Sequence, residues 1–166
     1  MIVETTAIAD VKLLTPQRFP DGRGFFSETW NARRFAEAGI PGPFVQDNHA
    51  RSAERGVVRG SIWDVAVDIR PGSATYGRHV GAVLSAENWQ QLWIPAGLLR
   101  GYCTLEPDTE VIYKVTAPWD RAAERGVIWN DPALDIPWPI DPAAAILSDK
   151  DRALPRLADC SEWHRV

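Results

Sequence analysis

A chain of 166 residues, 45% of them hydrophobic, is long enough to bury a core of its own, and one domain over residues 1–166 is expected. Eighteen basic residues against 22 acidic ones give a net charge of −4 with no basic block, which argues against the concentrated cationic footprint that a nucleic-acid binder needs. No apolar run approaches membrane-spanning length, the N-terminal MIVETTAIAD lacks a basic-then-apolar leader pattern, and Cys103 and Cys160 make neither a disulfide framework nor a metal spacing. A reduced, cytoplasmic chain with no membrane or nucleic-acid partner is the expectation.

In chain order, residues 6–14 read as an opening strand, and GRGFFSETW (22–30) continues the β pattern after the turn residues FPDG. Asn31 can cap a short helix, ARRFAEA, that Gly39 and Pro41 stop. FVQDNHARS (44–52) leads into a predicted strand from Val57 to Ile69, with Trp63, Val65, Val67 and Ile69 on one face. Counting back by twos places Arg59 on that apolar face, where a guanidinium is costly unless an anion meets it. HVGAVLSAENWQQLWIPAGLLRGYCTL supplies further short strands, TEVIYKVTAPW (109–119) another, and ERGVIWNDPALDIPWPI ends the β portion. Short strands between Gly/Pro turns, with eight tryptophans and 13 prolines, predict a mainly β fold. A β-sandwich or jelly roll with one short helix and a peripheral C-terminal segment is expected. Such proteins often pair, and residues 1–14 could cover a partner's open sheet edge.

The chain has no GxGxxG, no P-loop lysine and no HExxH, and its three histidines, His49, His79 and His164, lie far apart. A jelly roll that binds metal needs a His-x-His pair with further ligands, so no metal is expected. Several polar residues fall where strand parity points inward. Arg23 and Glu28 flank Phe25 and Phe26, Gln46 and Asn48 share a face, and Tyr113 sits with Val111 and Val115. Taken singly, each has an ordinary explanation: solvent exposure, a turn, or packing with the hydroxyl satisfied. Taken together, amides and a carboxylate suit a base edge, aromatics suit stacking, and arginines suit phosphate. The set points to a nucleotide-like anion in the mouth of a β-sandwich.

The ordered motifs DGRGFFSETWN (21–31), FVQDNHARS (44–52), GVVRG (56–60), DVAVDIR (64–70), LSAENWQQLWIPAG (84–97), YKVT (113–116), RGVIWNDP (125–132) and LSDKD (147–151) resemble the dTDP-4-dehydrorhamnose 3,5-epimerase family over nearly the whole chain. The resemblance implies a cupin-like jelly-roll homodimer without metal or cofactor. Its substrate would be a dTDP-linked 4-keto-6-deoxy sugar, as in dTDP-rhamnose biosynthesis. Carried over by motif, Arg23, Phe26, Glu28, Gln46 and Asn48 would contact the nucleotide. Arg59 would meet the diphosphate or sugar, and Trp119 falls near a thymine-stacking aromatic. Tyr113 matches the family's proton donor, and Asp151 the aspartate that supports the catalytic histidine.

Removing a proton next to a ketone and returning one on the other face needs a base near neutral pKa, an acid opposite it and a stabiliser for the enolate. In the family pattern the base histidine follows an Arg-Gly, and a later strand carries a lysine that stabilises the enolate. Here Arg59-Gly60 runs directly into Ser61-Ile62-Trp63-Asp64, so the two family segments look fused, with the histidine and lysine between them gone. Arg100, in GLLRG, stands where the family usually has histidine. The resemblance therefore implies an isomerase by descent with its activity open. The alternatives are an inactive dTDP-sugar binding relative and a structural partner of an intact epimerase.

Overall fold

The computed structural model describes residues 1–52 and 60–160. Ten strands dominate among the described residues: β1 (Ile2–Thr5), β2 (Lys12–Thr15), β3 (Arg18–Asp21), β4 (Gly24–Ser27), β5 (Gln46–Ser52), β6 (Ser61–Asp68), β7 (His79–Ser85), β8 (Gln91–Trp93), β9 (Leu98–Thr104) and β10 (Thr109–Val115). Two short helices, α1 (Ala32–Glu37) and α2 (Asp149–Arg152), accompany them, and the strands form the jelly-roll sandwich expected from the sequence. Among the described residues, no helix is long and apolar enough to cross a membrane.

The opening segment departs from expectation. Residues 6–14 are not one strand; the chain turns back, so that β1 and β2 pair antiparallel with Ile2 opposite Thr15. Thr6 holds the turn, its hydroxyl bonded to the carbonyls of Ile8 and Val11 at 2.8 and 2.9 Å. Helix α1 forms where its signals lie. Asn31 Oδ1 accepts from the Arg34 amide at 3.2 Å, and Gly39 takes the left-handed φ of +71° that ends the helix. Phe35 on α1 packs with Leu14 and Ile40, fixing the helix against β2.

Strand β6 is the centre of the molecule, paired antiparallel with β7 on one side and β9 on the other. Seven of its eight residues are buried, so neither face meets solvent. On one face Ala66 packs with Ile8 and Val11, joining this sheet to the β1–β2–β8 sheet. On the other, Val65 and Val67 pack with Leu134, and Trp63, Ile136 and Trp138 close around them. Each buried aliphatic side chain contributes roughly 1.5–3 kcal/mol. The parity of Trp63, Val65 and Val67 agrees with the sequence reading. The start at Val57 and the placement of Arg59 lie outside the described residues.

The second face of that sheet is covered by the C-terminal segment, which forms no strand among the described residues after Val115. Pro132, Pro137 and Pro139 cannot donate to a ladder, so ERGVIWNDPALDIPWPI serves as an irregular cover. Trp138 anchors it through its indole N–H, bonded to the Trp129 carbonyl at 2.6 Å. Gly81, opposite Val65 on β7, leaves room for Trp63: an added Cβ would lie 2.3 Å from Trp63 Cζ2. Gly81→Ala is therefore expected to destabilise the fold by about 1–3 kcal/mol, seen as a lower urea midpoint at unchanged slope.

At the end of β6, Asp68 is fully buried and saturated. Its carboxylate accepts from the Arg70 backbone amide, Nε and Nη2 at 2.9, 3.0 and 2.7 Å. The hydroxyls of Ser73 and Thr75 donate to it as well, at 2.7 and 2.5 Å. The remaining Arg70 nitrogen, Nη1, reaches Asp10 Oδ2 at 2.7 Å, so one carboxylate ties β6 and the 70–77 turn to the first hairpin.

Candidate functional site

Strands β5 and β10 form an antiparallel ribbon with Asn48 opposite Tyr113 and Gln46 opposite Val115. Because side chains alternate along a strand, Gln46, Asn48, Tyr113 and Val115 share one face. With Ala117 and Trp119 they line a cleft of about 340 Å³. Gln46 is fixed from both ends: its Oε1 accepts from the Trp119 amide at 3.1 Å, and its Nε2 donates to Asn48 Oδ1 at 2.7 Å. Trp119 stands 63% exposed at the rim and presents a flat apolar surface. The opposite face of the ribbon carries ion pairs, Lys114 with Asp47 at 2.8 Å and His49 with Glu110 at 3.0 Å. That parity turns His49 away from the cleft.

Beside Tyr113 lies a polar cluster built by two central strands. Arg100 on β9 grips the buried Asp64 of β6 with two nitrogens, Nε to Oδ1 at 3.0 Å and Nη2 to Oδ2 at 2.8 Å. Its guanidinium carbon lies 5.3 Å from the ring centres of both Tyr102 and Tyr113. Burial works against the charge, but hydrogen bonding and attraction to Asp64 more than offset it, holding the Arg100 pKa above its ordinary value. Arg100 thus stays charged behind Tyr113 of the cleft, paired with a carboxylate that would be stranded without it.

Of the residues singled out from sequence, Gln46, Asn48, Tyr113 and Trp119 come together. Arg23, Phe26 and Glu28 do not join them within the chain. Arg23 and Phe26 belong to the β3–β4 hairpin and its turn, and Glu28 follows it. Arg23 is spread in solvent against Asp21 at 2.7 Å, Phe26 is 69% exposed, and Glu28 pairs with Arg34 at 3.3 Å. Asp151 is used in a helix cap, bonded to the Ser148 hydroxyl at 2.7 Å, and does not line the cleft. Arg59 lies outside the described residues. Among the described residues, no group of His, Cys, Asp and Glu could hold a metal ion.

The sequence reading noted Arg100 only as a departure and passed over Asp64 and Tyr102. Their signal is parity: Leu98, Arg100 and Tyr102 alternate on one face of β9, and Asp64 pairs with Tyr102 across the ladder.

Comparison with known proteins bears on this geometry. The family model for dTDP-4-dehydrorhamnose 3,5-epimerase matches residues 5–61 and 55–159, so residues 55–61 match it twice. The dTDP-4-dehydrorhamnose 3,5-epimerase of Pseudomonas aeruginosa is 48% identical over 172 aligned positions, covering 92% of this chain and 94% of that protein. Since 92% of 166 residues is about 153, about nineteen of those 172 positions have no counterpart here. Among solved structures, the dTDP-6-deoxy-D-glucose-3,5-epimerase of Legionella pneumophila, in complex with dTDP-4-keto-L-rhamnose, matches with a TM-score of 0.91 and 35% identity. That match covers 98% of this chain and 96% of that one. The dTDP-4-dehydrorhamnose 3,5-epimerase of Bacillus anthracis, with TDP and pyrophosphate bound, matches at 0.87 and 42%, covering 93% and 98%.

Proposed function

Because the chain belongs to the dTDP-4-dehydrorhamnose 3,5-epimerase family, we propose that its cleft takes a dTDP-linked 4-keto-6-deoxy sugar and that Tyr113 passes a proton to the carbon beside the ketone. The observation that carries this reading is the gathering of Gln46, Asn48, Tyr113 and Trp119 around one opening. The indole of Trp119 offers a stacking surface for thymine, and the amides of Gln46 and Asn48 sit beside it as hydrogen-bonding partners. Tyr113 stands across the ladder from Asn48 on the same face, in reach of a ligand that lies in this cleft. A single jelly-roll domain working in the cytoplasm as a homodimer fits this reading. In that dimer the hairpin carrying Arg23 and Phe26, with Glu28 beside it, would be supplied from a second copy, which would also cover the exposed rings of Phe19 and Phe26.

A second reading, binding without turnover, is favoured by one observation. About nineteen positions of the Pseudomonas aeruginosa protein lack a counterpart, and the family model matches residues 55–61 twice. That double match is what a fusion across the base histidine and lysine segment would produce. Proton NMR of dTDP-4-keto-6-deoxyglucose in deuterated water, with and without the protein, separates the two. Loss of the signals at sugar carbons 3 or 5 beyond the protein-free rate is the expected result. Protection of the fold by millimolar dTDP with no such loss would establish the second reading instead.

A further inference from the structure

We propose that Arg100 is the cation that receives the negative charge of the sugar's ketone oxygen, an inference that rests on the catalytic reading above. When a base, solvent included, takes the proton from the carbon beside a ketone, the proton ends on that base. The pair of the broken C–H bond forms a C=C bond, and the C=O π pair moves onto the carbonyl oxygen. Returning a proton to the same carbon draws that pair back. The oxygen therefore carries its charge only between the two transfers, and a fixed donor aimed at it lowers the barrier to both.

Among the described residues, Arg100 is the cation stacked on a side chain of the cleft. Lys114 lies over Trp30 and bonds Asp47 on the opposite face of the ribbon, and Arg18 lies over Phe25 and Trp89. Lys12 is spent on the Ala38 carbonyl. Arg100 has a donor to spare. Asp64 takes Nε and Nη2, whereas Nη1 has no hydrogen bond among the described residues, and the side chain keeps 29% of its surface accessible. Asp64, 2% exposed, acts as the anchor that stops the guanidinium from swinging out to water. Tyr113 stacks on the same guanidinium, so the proton donor and the charge acceptor are held as one unit.

The test compares three proteins: the unsubstituted chain, Arg100→Lys, and the pair Asp64→Asn with Arg100→Gln, which leaves no stranded buried charge. Each is first shown to melt cooperatively. The rate of deuterium entry at sugar carbons 3 and 5 and the affinity for dTDP alone are then measured. The inference expects deuterium entry to fall by at least about 100-fold in the paired variant and to recover in part in Arg100→Lys, with dTDP affinity changed less than about threefold. Equal rates in all three proteins would overturn the inference and leave the catalytic reading standing, and so would a fall matched by an equal loss of dTDP affinity. An unsubstituted chain that binds dTDP yet exchanges nothing would overturn both. One that binds no dTDP would remove the substrate class as well.

Discussion

Asp68→Ala is expected to cost about 3–5 kcal/mol of folding free energy, a fall of roughly 10 °C in Tm. Five donors converge on this carboxylate, and Arg70, Ser73 and Thr75 would all lose an acceptor inside the protein. The effect has a definite pH signature. Hydrogen bonding from Arg70, with help from Thr75 and Ser73, holds the Asp68 pKa far below the usual carboxylate range against the opposing cost of burial. In the unfolded chain it returns to about 3.9. A group whose pKa is depressed by folding contributes its stabilisation above the unfolded pKa and loses it as pH falls toward the folded one. Urea melts should therefore show a constant gap between the unsubstituted chain and Asp68→Ala from neutral pH down to about pH 5. Below about pH 4 the gap should narrow.

Tyr113→Phe is expected to slow deuterium entry at the sugar by about 100-fold or more, the usual worth of a positioned proton donor. The substitution is sharply diagnostic because so little else rests on the hydroxyl. Among the described residues it makes no hydrogen bond, while the ring stays available to stack on Arg100. Thermal stability should shift by no more than about 0.5 kcal/mol and dTDP affinity should hold, so a large rate effect would be chemical and not structural. An unchanged rate would move the proton-donor role to another residue, and Tyr102, whose ring centre also lies 5.3 Å from the Arg100 guanidinium carbon, is the first to test.

The strands carrying the site were legible in the sequence because their alternation is strong. Gln46 shares parity with Asn48, and Tyr113 with Val115, by spacing alone, whereas the pairing of the two strands that puts all four on one face is set by the register of the ladder. The Asn31 cap was legible for the same local reason. What escaped depended on partners far along the chain. The turn at Ile8 is held by a Thr6 hydroxyl bond that looks like an ordinary strand residue in one dimension. The burial of the Val65 and Val67 face of β6 depends on residues 127–138, which cover it without forming a strand. Asp64 and Arg100 are 36 positions apart, and nothing in either local pattern announces that one neutralises the other. The hairpin bearing Arg23 and Phe26 lies apart from the cleft within the chain, and nothing in its local pattern announced that separation.

The β5–β10 ribbon has a consequence for how binding and local order are linked. Among the described residues these two strands pair only with each other, whereas β6 is flanked on both sides. An element with one ladder opens at lower free energy than one held by two, so the amides of 46–52 and 109–115 are expected to exchange faster than those of β6. Asn48 and Tyr113 face each other across that single ladder, and a ligand that touches both bridges it. Its occupancy would raise the cost of opening by RT ln(1 + [L]/Kd). Hydrogen-exchange protection of the ribbon and saturation of the cleft then describe one equilibrium, with the ligand serving as a cross-link between the strands.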